Sequence, residues 1–253
     1  MCRMFASFSR RAEQQSIVSA LVRAARNDVF RNGGEAHRDG WGGCALASGD
    51  AVFTWRSTRP IYQDLPAIPD ALGQTFLALF HARLAADGEP VNAPAYSHPF
   101  TVTAQDGHMY VCHNGWVDKE KVGREYGVRV EGGKSDTQVM CEAMSTLGKG
   151  GAFEGFREVM EFCRENAMKG GALNVLALFI GNGRMAEVYY HSSLLKESVY
   201  GRLYSRQTGG SFAVMSSTVA YYMGLIDASG QPPLVQDTMA VEENACFRES
   251  FTL

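Results

Sequence analysis

The sequence predicts an α+β fold in which two packed sheets are flanked by helices. Segments typical of strands occupy the first part of the chain and return in its last third, with helical patterns inserted among them. That order of elements fits two sheets covered by helices. No repeat, low-complexity tract or clear linker divides the 253 residues, so we expect a single domain over residues 2–253.

The first hundred residues carry one helical pattern among several strands. An apolar run opens the chain, and a later run that is apolar at nearly every position is typical of a strand covered on both faces. The predicted elements are a strand at Cys2–Phe8, a helix from Gln14 to Val29, a hairpin of residues 43–48 and 51–56 turning at Gly49-Asp50, and a strand at Thr75–Leu84.

The remaining residues predict a hairpin, two helices and a return to strands. Ser135 and Gln138 have the spacing of a capping box and place a helix start there. The other predicted elements are a hairpin of Phe100–Ala104 and His108–His113 turning at Asp106-Gly107, a helix with Phe153, Phe156, Met160, Cys163 and Ala167 on one face, and strands at Ala172–Ile180, Met185–His191, Arg202–Ser205, Ser211–Ser216 and Met239–Glu242.

The composition favours a small ligand. The formal charge is −3, from 24 basic and 27 acidic residues without blocks of like charge, which argues against a nucleic-acid surface or a polybasic membrane anchor. The six cysteines have no paired spacing and fit reduced, intracellular thiols. No signal-peptide core occurs, and no apolar run approaches the ~20 residues that span a bilayer. We therefore expect a cytoplasmic protein that acts without membrane or nucleic acid.

We expect no metal site and no organic cofactor. Cys112 and His113 are neighbours on a predicted strand, where successive side chains point to opposite faces. They therefore cannot ligate one ion together from that strand, and a metal site is discounted.

The candidate nucleophile is Cys2. Removal of Met1, which the short side chain at position 2 permits, would give Cys2 a thiol and a free α-amine on one carbon. The amine, with a reference pKa of ~7.7 to 8.0, can take the proton of a thiol with a reference pKa of ~8.5. The alternative is a buried cysteine that acts only as a small hydrophobe.

Four other residues have both a chemical and a structural interpretation. Arg83 ends an apolar strand, where it could bind a substrate carboxylate in bidentate fashion or pair with a structural carboxylate. Asn114 and Gly115 could donate to an oxyanion, but Asn-Gly is also the strongest hairpin-turn signal. Asp136, in the first turn of a helix, could hold a substrate ammonium or complement the helix dipole.

Another glycine-rich island, HRDGWGG (His37 to Gly43), has two interpretations as well. Its glycines would let the backbone approach a ligand closely, and they would equally suit a tight turn into a strand.

Together these islands resemble the class II glutamine amidotransferases, a family of N-terminal-nucleophile hydrolases. The family's signatures occur in its order: an N-terminal cysteine at Cys2, an HxR motif at His81-Ala82-Arg83, an Asn-Gly pair at Asn114-Gly115 and an SDT context at Asp136. DGWG, WRSTRPIY, HNGWVD and LNVL are similar to the standalone branch that includes the γ-glutamyl amide hydrolase of ergothioneine biosynthesis.

This resemblance implies a four-layer αββα sandwich of two packed, mainly antiparallel sheets. It also implies that Cys2 attacks a γ-glutamyl amide, that Asn114 and Gly115 form the oxyanion hole, and that Arg83 and Asp136 bind the amino-acid end of the substrate. The implied activity is hydrolysis of glutamine or a γ-glutamyl conjugate through a thioester, releasing glutamate. Two alternatives stay open: an ammonia-supplying glutaminase subunit with a separate synthase partner, and a non-catalytic γ-glutamyl-binding module.

Overall fold

The structure is a computed structural model that describes residues 2–31, 33–47, 51–86, 91, 93–131, 133–147, 150–182, 185–233 and 237–252. Met1 and the predicted turn at Gly49-Asp50 lie outside these residues. The chain divides into two compact units. The first comprises the chain up to Pro99 together with Glu197–Val241, and the second comprises Phe100–Lys196 and Glu242–Thr252. The single domain over residues 2–253 stays a prediction.

The described residues form twelve strands and five α-helices. In chain order they are β1 (Arg3–Arg10), α1 (Arg11–Arg26), β2 (Trp41–Leu46), β3 (Val52–Ser57), β4 (Thr75–Ala82), β5 (Phe100–Ala104), β6 (Gly107–Val117), α2 (Lys119–Tyr126), α3 (Asp136–Thr146), α4 (Ala152–Phe162), β7 (Met168–Gly181), β8 (Met185–Leu194), β9 (Leu203–Thr208), β10 (Ser211–Ser216), α5 (Ser217–Tyr222), β11 (Thr238–Ala240) and β12 (Cys246–Thr252).

The first unit contains a seven-stranded sheet in the order β11-β9-β10-β1-β4-β2-β3, with every neighbouring pair antiparallel. Helices α1 and α5 pack against β1 in this sheet. Every residue of β4 after Thr75 is buried, which confirms the strand predicted to be covered on both faces. The stacked rings of Phe5 and Phe80, with centroids 5.5 Å apart, join β1 to β4 in the core.

The second unit contains a five-stranded sheet in the order β12-β8-β7-β6-β5, again antiparallel throughout. Helices α2 to α4 share one hydrophobic core with this sheet. Phe179 and Tyr189, on paired strands, stack at 5.5 Å within that core. Two antiparallel sheets, each carrying helices, confirm the α+β class predicted from the order of the elements.

The ends of some elements differ from those predicted, and three elements were not predicted. The first helix ends at Arg26 because Asn27 is extended, with φ −148°, and Val29 lies beyond it at 40% exposure. Helix α2 was not predicted, although Asp118 caps it and Gly127 ends it in the left-handed region. Helix α5 and strand β12 were missed too. Strand β12 has only half-buried and exposed side chains, so its apolar pattern is weak.

Candidate active site

The pairing of β1 with β4 places Cys2 beside Arg83 in the first unit. Arg3 pairs with Ala82 in this antiparallel ladder, so Cys2 precedes β1 where Arg83 follows β4. Cys2 is 8% exposed. The backbone N–H of Leu84 donates to its Sγ at 3.4 Å, and Sγ lies 3.6 Å from the Leu84 carbonyl oxygen, to which the thiol donates. Cys2 is therefore buried but held by polar groups, unlike a simple hydrophobe.

The glycine-rich island binds the backbone around Arg83. The N–H of Asp39 donates to the Arg83 carbonyl at 3.1 Å, and the N–H of Arg83 donates to the Gly40 carbonyl at 2.9 Å. Asp39 Oδ2 accepts from the N–H of Ala85 at 2.9 Å. We call Cys2, Asp39, Arg83, Leu84 and Ala85 the Cys2 cluster. Arg83 itself is 6% exposed.

Gly40 has structural reasons to be glycine. Its φ is +100°, and a Cβ there would lie 2.5 Å from the Ser57 carbonyl oxygen. Strand β2 begins at the next residue, Trp41. The HRDGWGG island leads into a strand, as its structural interpretation expected, and the bend at Asp39 lies against the Arg83 segment.

A buried ionic network lies next to Cys2 in the chain. The guanidinium of Arg3 donates to Asp28 and, at 3.0 Å, to the Tyr200 carbonyl. Asp28 also accepts from Thr218 and bonds to His37 Nε2 at 2.8 Å. Although burial raises the pKa of Asp28, the hydrogen bonds from His37 and Arg3 and the Arg3 charge hold it well below its usual range.

His37 is neutral in this network. Burial lowers the pKa of His37 to about 4, against the opposing effect of its hydrogen bond to Asp28. The network was not predicted from the sequence because its members are far apart: Arg3 and Asp28 are separated by 25 residues. No local pattern links them.

In the second unit, Asn114 and Gly115 lie within β6 and not in a turn. Asn114 is 1% exposed and pairs with Asn174 of β7, and the β6–β7 register shifts between Gly115 and Val117. The hairpin-turn interpretation of Asn-Gly is therefore wrong. At Gly115, with φ +156°, a Cβ would lie 2.1 Å from the Ala172 carbonyl oxygen. Only glycine fits without displacing the β7 backbone.

Asp136 connects α3 to the end of β6. Ser135 and Gln138 form the predicted capping box, so Asp136 is the first residue of α3. Its Oδ2 accepts from the Val117 N–H at 3.0 Å, and its Oδ1 accepts from the Thr137 N–H at 2.7 Å. The side chain remains 15% exposed.

His113 completes this arrangement. Its Nδ1 lies 3.0 Å from Thr137 Oγ1 and 3.8 Å from Asp136 Oδ2. Strand β6 and the start of α3 thus bring together His113, Asn114, Gly115, Asp136 and Thr137, which we call the Asn114 cluster. The five predicted site residues fall into two groups: Cys2 and Arg83 in the first unit, and Asn114, Gly115 and Asp136 in the second.

Four of the other five cysteines have a raised pKa. All six are free thiols. Burial raises the pKa of Cys44, Cys141 and Cys163 far above the ordinary range and that of Cys246 to about 12. Among the described residues, no group of three or more His, Cys, Asp or Glu side chains is placed to hold a metal ion. Within those residues, no helix has the length and apolar character needed to span a membrane.

Comparison with known proteins finds likeness in structure only. No protein-family model matches the sequence, and no curated protein matches it. A structure described as the allosteric regulatory enzyme of purine biosynthesis aligns with a TM-score of 0.61 and 14% identity, covering 100% of this chain and 49% of that one. This chain thus spans about half the length of that protein.

Two further structures align less well. A glutamine aminotransferase class-II domain protein from Silicibacter pomeroyi has a TM-score of 0.48 and 12% identity, with 98% of each chain covered. A predicted glutamine amidotransferase from Pseudomonas aeruginosa PA01 has a TM-score of 0.39 and 10% identity, covering 98% of this chain and 90% of that one.

The likeness at a TM-score of 0.61 shows the fold. The chain has the N-terminal-nucleophile hydrolase fold, as the motifs predicted.

Proposed function

We propose that this chain is a cysteine amidohydrolase that cleaves a γ-glutamyl amide, either glutamine or a γ-glutamyl conjugate, through a thioester on Cys2. The observation that carries the proposal is the position of the Cys2 sulfur. It lies 3.4 Å from the backbone nitrogen of Leu84, the residue that follows Arg83. The backbone positions of a candidate nucleophile and a candidate carboxylate-binding arginine therefore lie at the same end of the β1–β4 pair.

The substrate is bound through its zwitterionic amino-acid end. The planar guanidinium of Arg83 can accept a carboxylate in bidentate fashion. The Asp136 carboxylate binds the ammonium; its known partners are neutral hydroxyl and N–H donors and His113, and it keeps 15% of its surface exposed. Holding both charged groups orients the γ-amide, so that binding energy becomes correct positioning.

The reaction then proceeds by acyl transfer. The α-amine of Cys2, free once Met1 is removed, takes the thiol proton, and the sulfur attacks the γ-carbonyl carbon. Asn114 Nδ2 and the Gly115 N–H donate to the oxyanion. The protonated amine passes its proton to the leaving nitrogen as the C–N bond breaks. Water, deprotonated by the same amine, attacks the thioester and releases glutamate and the thiol.

A second candidate function is ammonia supply to a separate synthase partner. The observation favouring it is that the whole of this chain corresponds to 49% of a larger enzyme of purine biosynthesis, so the fold also occurs joined to other segments. A glutaminase subunit of this kind would have low activity alone. Its rate of glutamate release would rise severalfold when the synthase is added.

The primary test is Cys2→Ala in protein whose first residue is verified as Cys2 by intact mass. We expect Cys2→Ala to abolish glutamate release from glutamine and from a panel of γ-glutamyl amines, since no other group replaces the sulfur. A γ-glutamyl chloroketone should alkylate Cys2 in the wild type. The matched control is Cys246→Ala, which removes the one half-buried thiol and should leave the rate unchanged.

Full activity in Cys2→Ala, or exclusive labelling of Cys246, would refute the proposal. The panel of γ-glutamyl amines also identifies the preferred leaving amine, which is the one in the substrate with the highest kcat/KM. Calorimetry on the wild type tests the remaining alternative, a non-catalytic γ-glutamyl-binding module. Tight glutamine binding without any turnover would indicate such a module.

A further inference from the structure

We propose that Asp39 is a positioning residue for Cys2 and Arg83. Its carboxylate fixes the segment 83–85, and this segment in turn holds the Cys2 sulfur. The inference rests on the proposed function for its consequence in catalysis, but its structural basis lies entirely within the first unit.

Asp39 forms two hydrogen bonds to the segment 83–85. The main-chain N–H of Asp39 donates to the Arg83 carbonyl at 3.1 Å, and its side-chain Oδ2 accepts from the Ala85 N–H at 2.9 Å. Gly40 adds a third bond by accepting from the Arg83 N–H at 2.9 Å. Leu84 lies between Arg83 and Ala85, which are both hydrogen-bonded to Asp39, so its peptide groups have little freedom to rotate.

The Leu84 peptide is the group that touches the sulfur. Its N–H donates to Cys2 Sγ at 3.4 Å, whereas the thiol donates to the Leu84 carbonyl at 3.6 Å. When the thiol loses its proton, the bond to the carbonyl disappears and the N–H bond gains strength because its acceptor becomes charged. The Leu84 peptide thus contacts the sulfur both as a thiol and as a thiolate.

Asp39 is itself firmly placed. His37, two residues earlier, is fully buried, donates its N–H to the Ala25 carbonyl at 2.7 Å and bonds to Asp28 through Nε2 at 2.8 Å. Gly40, on the other side, has no room for a side chain because of the Ser57 carbonyl. A carboxylate held between two rigid neighbours can act as a clamp, since it does not need to be ordered first.

The test compares Asp39→Ala with Asp39→Asn by timed alkylation with iodoacetamide. Labelling of each cysteine is read by peptide mass spectrometry. This small neutral reagent needs neither Arg83 nor turnover, so it reports the sulfur alone. Asp39→Ala should lower the alkylation rate of Cys2 about tenfold, the effect of losing one hydrogen bond to a charged acceptor. Asn retains an acceptor oxygen for the Ala85 N–H, so Asp39→Asn should restore most of the rate.

A purely structural role for Asp39 predicts the opposite change in the rate of cysteine labelling. General loosening of the fold would raise the labelling of the buried thiols Cys44, Cys141 and Cys163, whereas lost positioning lowers Cys2 alone. The control is Arg38→Ala, which truncates the exposed neighbouring side chain and should leave every rate unchanged. With glutamine, Asp39→Ala should also raise KM about tenfold, since Arg83 is no longer held in place.

Three results would each overturn the inference. The rate of Cys2 labelling could be unchanged in Asp39→Ala, or it could rise together with the labelling of the buried thiols. The rate of Cys2 labelling could also fall as far in Asp39→Asn as in Asp39→Ala. Its failure is distinct from failure of the proposed function. If Cys2→Ala still hydrolysed glutamine, the function would be wrong, yet the iodoacetamide comparison would still decide whether Asp39 positions the thiol.

Discussion

A methyl group at Gly115 has no room in the second sheet. The Cβ of Gly115→Ala would lie 2.1 Å from the Ala172 carbonyl oxygen and 2.8 Å from His113 Nε2, at a φ of +156°. The first of these neighbours is backbone of β7, which pairs with β6 on one side and β8 on the other, so it cannot move away alone. The β6 backbone must shift at the residue whose N–H is proposed to stabilise the oxyanion.

Two effects follow from that shift. Overpacking a closed position costs typically about 1 to 3 kcal/mol, so the free energy of unfolding should fall by that amount. Displacing one oxyanion donor costs about 10² to 10³ in kcat. The activity loss should therefore exceed what the fraction of unfolded protein explains, because the protein stays folded at 25 °C after losing only a few kcal/mol.

The assay measures both urea unfolding and the rate of glutamate release for Gly115→Ala. The matched control is Gly171→Ala. Gly171 lies in the same β7 strand, one residue before Ala172, and a Cβ there meets nothing within 4 Å. Its substitution should change the unfolding free energy by no more than about 1 kcal/mol. If Gly115→Ala unfolds at the wild-type urea concentration and keeps the wild-type kcat, the argument from the close contact is wrong.

Two other predictions concern charge. Arg83→Lys keeps the charge but loses the planar fork, so KM for glutamine should rise about 10-fold or more while the urea midpoint stays near wild type; an unchanged KM would exclude Arg83 from substrate binding. Burial lowers the pKa of both His37 and His191 to about 4. The unfolded chain binds these protons near pH 6.5, so stability should fall as the pH drops from about 6.5 towards 4, by about 2 kcal/mol per histidine between pH 7 and 5. Urea midpoints across this range check the slope, which His191→Gln should reduce; a flat profile would show that neither imidazole is held neutral.

The strands and helices that the sequence predicted best are those with strong local patterns. The TFLALFHA run of β4 is apolar at nearly every position, and the Ser135–Gln138 capping box marks the start of α3 without reference to the rest of the fold. Strand β12 was missed because none of its side chains is fully buried. Its place beside β8 is decided by backbone pairing, which leaves little trace in the sequence.

Asn114-Gly115 shows the limit of local reasoning. The dipeptide is equally suited to a hairpin turn and to a site of close backbone approach, and nothing in its neighbours distinguishes the two. Only the pairing of β6 with β7 places it inside a strand, with the Ala172 carbonyl at the position where a Cβ would be.

By itself, the sequence predicted the α+β class, the candidate chemistry of Cys2, Arg83, Asn114, Gly115 and Asp136, and, through its motifs, the fold. Residue type and short-range spacing carry that information, because a nucleophile, a guanidinium fork or a helix cap is a local property. The tertiary structure alone decided that Asp28 neutralises Arg3, that Asp39 clamps Ala85 and that Asp136 receives the Val117 N–H. Such contacts join residues 19 to 46 positions apart. They exist only once strand pairing has brought distant backbone together, so no local pattern specifies them.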